Sequence, residues 1–400
     1  MIRDQRSQGR HAILGEIRRA GSIARVDLAR RTGLSQATVT AITAELMAAG
    51  LIEESAALVA TGDARRGRPR VGLQIRGAAH LVAGAKVADR TISAAVADFT
   101  GQVLGEAALP LTAQVQAPAD LARDVAAAVE AAARAAGHGM AEVSGIGAAL
   151  AGIVDAEAGV ARWSPALDAR NAPFRAALEE ASGLPSFIDN DANLVAMAEL
   201  YFGEGKGIDD FLVVTVESGV GLGIVLGGRI YRGTRGCGAE FGHTKVQIDG
   251  ALCRCGQRGC LEAYIADYAL LREAALRPGQ RAGEPQADME ALLAQARAGE
   301  PMAASIVARA ERIFAMGLAN LVNIFDPQLI ILSGELAQHD YLYDEKVIAM
   351  VAGQTVQVGG PPPEIRVHRW DDLMWARGAA AYAIEGLAAR ALAGLGEDAA

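Results

Sequence analysis

Three of the four cysteines of this 400-residue chain lie within eight residues, and a histidine precedes them. The four side chains are His243, Cys253, Cys255 and Cys260. One imidazole and three thiolates form a set that suits tetrahedral zinc and leaves no open position for a catalytic water. The step from Cys253 to Cys255 is tighter than the usual spacing of zinc ligands. Three reduced buried thiols, or a disulfide, are therefore alternatives on the spacing alone.

A second group of chemistry-bearing residues is rich in arginine. Four of the six residues at positions 65–70 are arginine, among them Arg66, Arg68 and Arg70. An extended loop of this composition can place guanidinium groups in the minor groove of DNA or on its phosphates. A charge run alone is more often a solvated linker, so the elements that precede the loop decide between the two interpretations.

The residues before that loop predict short helices. Apolar spacing indicates helices at 9–20, 25–31 and 36–49, and Ser35 is a suitable N-cap for the third. The second and third helices, joined by a glycine turn, form a helix-turn-helix. A strand at 71–75 follows the arginine-rich loop, which makes the loop a wing.

The third helix has the pattern of a recognition helix. Val39, Ile42 and Leu46 recur at helical spacing and are expected to pack inward. Glutamine can pair with adenine, and threonine can contact bases or phosphates. A small polar helical bundle is the alternative. The outer face is expected to carry Gln36, Ala37, Thr40 and Thr43. The predicted DNA contacts are Ser35, Gln36, Ala37, Thr40 and Thr43 on the helix and Arg66, Arg68 and Arg70 on the wing.

Charge divides the chain into a basic leading segment and an acidic body. Residues 1–76 contain 13 of the 38 basic and 7 of the 47 acidic residues, a net charge of +6, and residues 77–400 carry −15. This division favours a nucleic-acid-binding arm attached to a different function. The sequence has neither an apolar run of membrane-spanning length nor a secretory signal, so we expect a cytoplasmic protein without a membrane partner.

The acidic body contains an internal repeat. A three-stranded meander begins at 81–87, and a helix at 118–136 and an apolar strand at 143–150 follow it. The same order recurs between strands at 211–216 and 329–332. The repeat predicts two α/β lobes with a ligand-binding cleft between them.

Several short motifs of the body, taken together, resemble the ROK family of repressors and sugar kinases. They are IDNDAN at 188–193, SGVGLG at 218–223, GAEFGH at 238–243, CRCGQRGCLE at 253–262, NIFDP at 323–327 and SGE at 333–335. The resemblance covers residues 78–385 and implies an actin-like, hexokinase-like fold of the ribonuclease-H-like type. The repressor branch of the family also carries an N-terminal winged helix-turn-helix.

The expected fold class is therefore α/β, with a winged helix-turn-helix in front of a two-lobe ROK fold. We expect the winged helix at 1–76, the first lobe at 77–190 and the second lobe, with the cysteine motif, at 191–375. A C-terminal helix near 376–395 is expected to return to the first lobe.

The resemblance also implies a hexose site at five polar residues, which are Asn190, Asp191, Glu240, His243 and Glu262. Carboxylates, an amide and an imidazole can accept from and donate to ring hydroxyls. In the family, the histidine can bind zinc through one ring nitrogen and a sugar hydroxyl through the other. With the resemblance, one structural Zn²⁺ per chain becomes the favoured interpretation of the cysteine cluster. Ala166 stands where the family has an asparagine that contacts the sugar.

The phosphate-binding turns differ from those of the family's kinases. Where kinases have Asp-x-Gly-Gly-Thr, this chain has Lys86, Ala88, Asp89 and Arg90 at the acid, the two glycines and the threonine. Lysine cannot ligate magnesium, and the Asp89 carboxylate would repel phosphate oxygens. The second turn, at residues 217–219, reads Glu-Ser-Gly instead of Gly-Thr-Gly. Asp191 then occupies the position of a general base that no longer acts.

These features predict a sugar-responsive transcriptional regulator, most simply a repressor that a sugar or sugar derivative releases from operator DNA. Two recognition helices are needed to contact paired half-sites, so a homodimer or homotetramer is expected. The alternative from another class is an active ATP-dependent sugar kinase. A ligand-binding activator, or a regulator controlled by a protein partner, is a third interpretation.

Overall fold

The computed structural model describes residues 2–58, 70–216, 219–236, 238–275, 285–333, 341–356, 359, 362–370 and 373–397. The chain forms two compact units. Unit 1 comprises Met1–Asn190 and Asp372–Ala400, and unit 2 comprises Asp191–Asp371. Among the described helices, none combines the length and the apolar character that a membrane span requires.

The N-terminal part of unit 1 is a winged helix. Its elements are α1 (Ile2–Ala20), β1 (Ser22–Ala24), α2 (Arg25–Thr32), α3 (Gln36–Ala48), β2 (Ile52–Leu58) and β3 (Arg70–Ile75). Gly33 adopts a left-handed conformation at the end of α2, and Ser35 caps α3, as predicted. The antiparallel sheet has the order β1-β3-β2, and its strand β1 was not predicted.

The first helix is longer than predicted. It begins at Ile2 instead of residue 9, and the added turns include Arg6, which has a tertiary partner. The guanidinium groups of Arg6 and Arg10 both contact the carboxylate of Glu45 on α3. Contacts between elements thus extend a helix whose first residues lack an apolar pattern.

The rest of unit 1 is an α/β layer. Its elements are β4 (Leu81–Val87), β5 (Thr91–Asp98), β6 (Val103–Pro110), α4 (Pro118–Ala135), β7 (Val143–Leu150), β8 (Ile153–Asp155), β9 (Val160–Trp163), α5 (Phe174–Ser182) and β10 (Ser186–Asn190). The main sheet has the order β10-β7-β4-β5-β6. Its first three strands in the chain form an antiparallel meander, and β7 and β10 add in parallel.

Unit 2 repeats this design. Its elements are α6 (Asp191–Phe202), β11 (Phe211–Val216), β12 (Val220–Leu226), β13 (Arg229–Ile230), α7 (Glu262–Ile265), α8 (Asp267–Ala274), α9 (Pro285–Arg297), α10 (Pro301–Phe325), β14 (Leu329–Ser333), α11 (Glu345–Gln354) and β15 (Glu364–Val367). The sheet order is β13-β12-β11-β14-β15, with the last two strands parallel to β11. The two five-stranded sheets confirm the predicted α/β fold class and its repeat.

The last helix, α12 (Met374–Glu397), packs on the sheet of unit 1 with its backbone. Two strand glycines make this possible. A Cβ atom on Gly147 would lie 1.8 Å from the carbonyl oxygen of Ala379, and one on Gly84 would lie 1.9 Å from that of Ala376. Because no side chain fits between strand and helix, both positions require glycine.

The winged helix and the α/β layer of unit 1 share one apolar core. Ile13 and Ile17 of α1, Phe99 after β5, and Ile384 and Leu387 of α12 belong to a single buried cluster. The Arg18 guanidinium of α1 donates to the carbonyl oxygen of Phe99 at 2.9 Å. Within unit 1 the winged helix is therefore packed against α12 and the sheet.

We expect the pair that α1 makes with α3 to depend on acid pH. Burial alone would raise the pKa of Glu45, but hydrogen bonds from Arg6 and Arg10 outweigh it and hold the pKa below its ordinary value of 4.5. Because the folded-state pKa is depressed, the stabilisation is present above about pH 4.5 and is lost as pH falls through the folded value. In thermal unfolding between pH 6 and pH 3, Glu45→Gln should therefore lose less stability than wild type. Glu180→Gln, at an exposed position of α5, is the matched control. If the midpoint of unfolding falls with pH equally steeply in Glu45→Gln and in wild type, the prediction is contradicted.

Candidate functional site

The N-terminal end of α3 presents a polar face. Ser35 accepts a hydrogen bond from the backbone N–H of Thr38 at 3.1 Å, and its side chain is exposed. Gln36, Ala37 and Thr40 are exposed as well. Four of the five predicted helix contacts thus lie on the accessible surface of α3.

Thr43 is different, and its predicted position on the outer face is wrong. Its side chain is 0% exposed. The hydroxyl donates to the carbonyl oxygen of Thr40 at 3.1 Å and accepts from the Arg25 guanidinium at 3.2 Å. Thr43 lies four residues after Val39 and therefore beside the inward face, a signal that the sequence already contained. Thr38 and Ala41, which are not among the predicted contacts, are exposed on the same helix.

The wing is described only at its base. Strands β2 and β3 pair antiparallel, with Leu58 opposite Arg70. Arg66 and Arg68 lie outside the described residues, as do the other residues of 59–69. Their contacts with DNA, and that of the Arg70 side chain, stay predictions of the sequence.

In unit 2, the predicted metal ligands come together. The donor atoms of His243, Cys253, Cys255 and Cys260 all lie within 4.8 Å of one another, and no other such group occurs in the described ranges. The three cysteines are free thiols. His243 Nδ1 is 3.7 Å from Cys253 Sγ, and Cys255 Sγ is 3.7 Å from Cys260 Sγ. A tetrahedral zinc ion bound by sulfur and nitrogen requires edges of about 3.5–3.8 Å. These two separations match that requirement, and the donor types of the set suit this ion.

Tight turns bring these ligands together. Gly259 has a φ of +78°, and a Cβ atom there would lie 1.8 Å from the carbonyl oxygen of Gln247. The Gly259 carbonyl in turn accepts the N–H of Val246 at 2.8 Å. The segment after His243 and the cysteine turns are therefore tied together by backbone hydrogen bonds, which a side chain at position 259 would break.

Lys245 is a neighbour of this cluster that the sequence did not indicate. Its ammonium group lies 2.9 Å from Cys260 Sγ and donates to the carbonyl oxygen of His243 at 3.3 Å. Three thiolates and a neutral imidazole around a divalent cation carry a net charge of −1. The Lys245 ammonium would balance that charge.

His243 connects the thiols to a group of carboxylates. While Nδ1 faces Cys253, Nε2 lies 3.8 Å from Glu240 Oε2. The Glu240 side chain is 45% exposed. Even so, neighbouring atoms desolvate the Glu240 carboxylate, and this desolvation raises its pKa. The charge of His243 opposes the rise, and the negative charges of Glu262 and Asp191 add to it. Four of the five predicted sugar ligands thus interact electrostatically within unit 2.

Glu262 is buried and held from two sides. Its Oε1 accepts from the hydroxyl of Tyr268 at 3.2 Å, and its Oε2 accepts from the N–H of Val220 at 3.3 Å. Tyr268 was missed by sequence reasoning, because its spacing from the motif carries no signal. The carboxylate is thereby fixed in place, with acceptor capacity left for a ligand hydroxyl.

Asn190 and Asp191 are consecutive residues of different units. Asn190 ends β10 in unit 1, where its side-chain amide donates to the carbonyl oxygen of Gly152 at 2.7 Å. Asp191 begins α6 in unit 2, where its carboxylate accepts the N–H of Ala192 at 2.9 Å. Each side chain is oriented by its own unit.

The first turn that differs from the kinases borders a small cavity in unit 1. This cavity, of about 230 Å³, is lined by Ala88, Asp89 and Ala166 among others. Lys86 lies 3.3 Å above the ring of Trp375. Residues 217 and 218 of the second turn lie outside the described residues. The larger cavity of unit 2, about 620 Å³ between α9, α10 and α11, contains none of the predicted site residues.

Comparison with known proteins assigns the chain. Residues 83–385 match the ROK family, and residues 10–53 match a winged helix-turn-helix DNA-binding family. The glucokinase of Streptomyces coelicolor is 34% identical over 273 residues, which is 64% of this chain and 82% of that protein. The transcriptional dual regulator NagC of Escherichia coli is 29% identical over 326 residues, which is 80% of this chain and 78% of that protein.

A solved structure extends the similarity to almost the whole chain. It is a ROK family transcriptional regulator described as a homologue of the E. coli MLC protein, with a TM-score of 0.78 at 25% identity. The match covers 99% of this chain and 100% of that one. The protein is a member of the ROK family that carries an N-terminal winged helix-turn-helix.

Proposed function

We propose that the protein is a sugar-responsive transcriptional regulator, and specifically a repressor that its effector releases from operator DNA. The observation that carries the proposal is the winged helix in front of a ROK body whose first phosphate turn holds Lys86 and Asp89. The chain has kept the residues of a sugar site and has lost those that hold nucleotide phosphates. Similarity to the NagC regulator supports the same conclusion.

Release requires that the effector distinguish two states of the protein. A sugar weakens DNA binding only to the extent that it binds the DNA-incompetent state more tightly. In unit 2, its hydroxyls would bind to Asp191, Glu240, His243 and Glu262. The fifth proposed ligand, Asn190, belongs to unit 1.

We also propose that the His243 cluster holds one structural Zn²⁺ per chain. When bound, the ion would fix the cysteine turns and hold His243 through Nδ1. Nε2 of the ring then stays on the side of Glu240, where it can meet a ligand hydroxyl. A cytoplasmic homodimer or homotetramer completes the proposal, because paired half-sites need two recognition helices.

Fluorescence anisotropy tests the proposed function. Duplexes from upstream of its own and neighbouring genes would be titrated at near-physiological salt, with and without a panel of free and phosphorylated sugars. We expect one fragment to bind at least 1,000-fold more tightly than random DNA, and one sugar to release it. Sugar binding without specific DNA binding would overturn the regulator function.

DNA binding should depend on both α3 and the wing. Gln36→Ala should reduce the preference for the operator by about tenfold, since a base contact carries about 1–3 kcal/mol of discrimination. The double variant Arg68→Ala with Arg70→Ala should weaken binding to all sequences. The salt slope, which is the slope of the logarithm of the binding constant against the logarithm of salt concentration, should fall in magnitude by about two. Arg134→Ala, on the exposed side of α4, is the control. An unchanged salt slope in the double variant would exclude the wing from phosphate contact.

The alternative, an active sugar kinase, is favoured by the 34% identity to a glucokinase and by Asp191 at the position of the general base. It is tested by a coupled assay of ADP formation with ATP, magnesium and the same panel of sugars. We expect no sugar-dependent ADP above that of an Asp191→Asn control. Turnover that Asp191→Asn abolishes would establish the kinase instead.

A further inference from the structure

Arg10 is a buried arginine that connects three helices of unit 1. It lies in α1 and is only 5% exposed. Its Nε and Nη2 atoms both lie 2.8 Å from Glu45 Oε2 on α3. The same Nη2 donates to the carbonyl oxygen of Leu395 in α12 at 3.2 Å. A single guanidinium thus binds the recognition helix and the C-terminal helix together.

The two partners have chemical reasons to accept this cation. Leu395 is one of the last four residues of α12, whose carbonyl groups have no partner within the helix. A cation at that end also interacts favourably with the helix dipole. Glu45 lies in the last turn of α3, and the Gln36 end of the same helix is the exposed one. The arginine therefore binds α3 at the end opposite to the proposed DNA-facing end.

The position of α12 links this contact to the path of the chain between the two units. Unit 2 ends at Asp371, and α12 begins at Met374, so the covalent path from unit 2 back into unit 1 enters through this helix. The backbone of α12 rests directly on β4 and β7 at Gly84 and Gly147. A displacement of α12 against the sheet would consequently reach Arg10.

We propose that Arg10 is a positioning residue that fixes the recognition helix α3 to the last turn of α12, so that the sugar-binding body sets the orientation of the DNA-binding surface. The inference deepens the proposed function and depends on it for its consequence at DNA. The contact itself can be tested without DNA or sugar.

The first measurement is hydrogen exchange on the full-length protein. Arg10→Met keeps an apolar stem and removes every donor. It should speed exchange at least tenfold in the last turn of α12 and in α3, with unit 2 unchanged. Arg10→Lys can still pair with Glu45 but offers a single ammonium, and it should show a smaller effect confined to α12. Arg390→Met removes a half-exposed arginine of the same helix, 3.7 Å from Glu179, and should leave both segments as in wild type.

The second measurement is affinity for the upstream duplex selected by anisotropy, with random duplex as reference. Arg10→Met should bind the selected duplex about tenfold more weakly at a temperature where it is fully folded, and Arg390→Met should bind as wild type does. A merely structural role would lower the thermal midpoint and leave the affinity of the folded protein unchanged, and that result would overturn the proposal. The proposal would also be overturned if Arg10→Met exchanged hydrogen in α3 and in the last turn of α12 at the wild-type rate. If Arg10→Met does not fold, the same rate measured in the last turn of α12 of Arg10→Lys decides. If no duplex binds even wild type, the proposed function fails, and the exchange data still decide whether Arg10 joins the two helices.

Discussion

If the proposed zinc ion is bound, replacing Cys253 and Cys260 together with serine is expected to remove it and to destabilise unit 2 by about 4 kcal/mol or more. The cysteine turns have few elements of regular structure to hold them, and structural zinc supplies folding free energy directly. A loss of this size would lower the unfolding midpoint by about 8–16 °C for a unit of this length. Metal analysis and calorimetry of the purified variants measure both effects.

The same substitution should abolish sugar binding. Without the ion and the Cys253 thiol, the His243 ring loses the partners that would hold Nδ1 and keep Nε2 beside Glu240. Cys237→Ser, which changes the cysteine outside the motif, is the control and should retain one zinc per chain. Less than half an equivalent of zinc in mildly purified wild type would contradict the metal assignment itself.

Replacing Gly147 with alanine is expected to destabilise unit 1 strongly, because strand β7 and helix α12 meet there backbone to backbone. The new Cβ atom would lie 1.8 Å from the carbonyl oxygen of Ala379, far inside van der Waals contact. Either α12 or β7 must then move, at a cost of about 3 kcal/mol or more. Chemical denaturation should show this loss, and the displaced helix should weaken DNA binding.

Gly15→Ala provides the matched control, because it adds the same methyl group in the same unit. Gly15 lies in α1 with nothing within 4 Å of the new atom. Alanine is the better helix former, so this variant should gain about 0.5–1 kcal/mol. A Gly147→Ala protein as stable as wild type would show that α12 does not rest on the sheet through its backbone.

Regular elements with a strong internal pattern were predicted well. Strands 81–87, 143–150 and 211–216 agree with the structure to the residue, because each is a short apolar run bounded by turn residues. Elements made by distant partners were missed. The first two turns of α1 and strand β1 owe their structure to contacts with α3 and β3, which local sequence does not encode.

The residues of the candidate site also fall into those that the sequence predicted and those that it did not. The metal-ligand cluster was predictable, since its four donors lie within eighteen residues and two glycines permit the turns between them. Lys245 and Tyr268 were not predictable, because their roles depend on where the folded turns place Cys260 and Glu262. The prediction that Thr43 faces outward was wrong, although its spacing of four residues from Val39 places it beside the buried face of α3.

The division of the chain into units has a consequence for biosynthesis. Unit 2 is one continuous segment, but unit 1 is closed by α12, which follows unit 2 in the chain and is therefore synthesised after it. The apolar core beneath the winged helix includes side chains of α12, so that core stays incomplete while translation is under way. We expect unit 2 to fold first, against the usual N-to-C order. A nascent or prematurely terminated chain would then lack the α12 side chains that pack beneath the winged helix, and we expect such a chain to bind DNA less tightly than the finished protein.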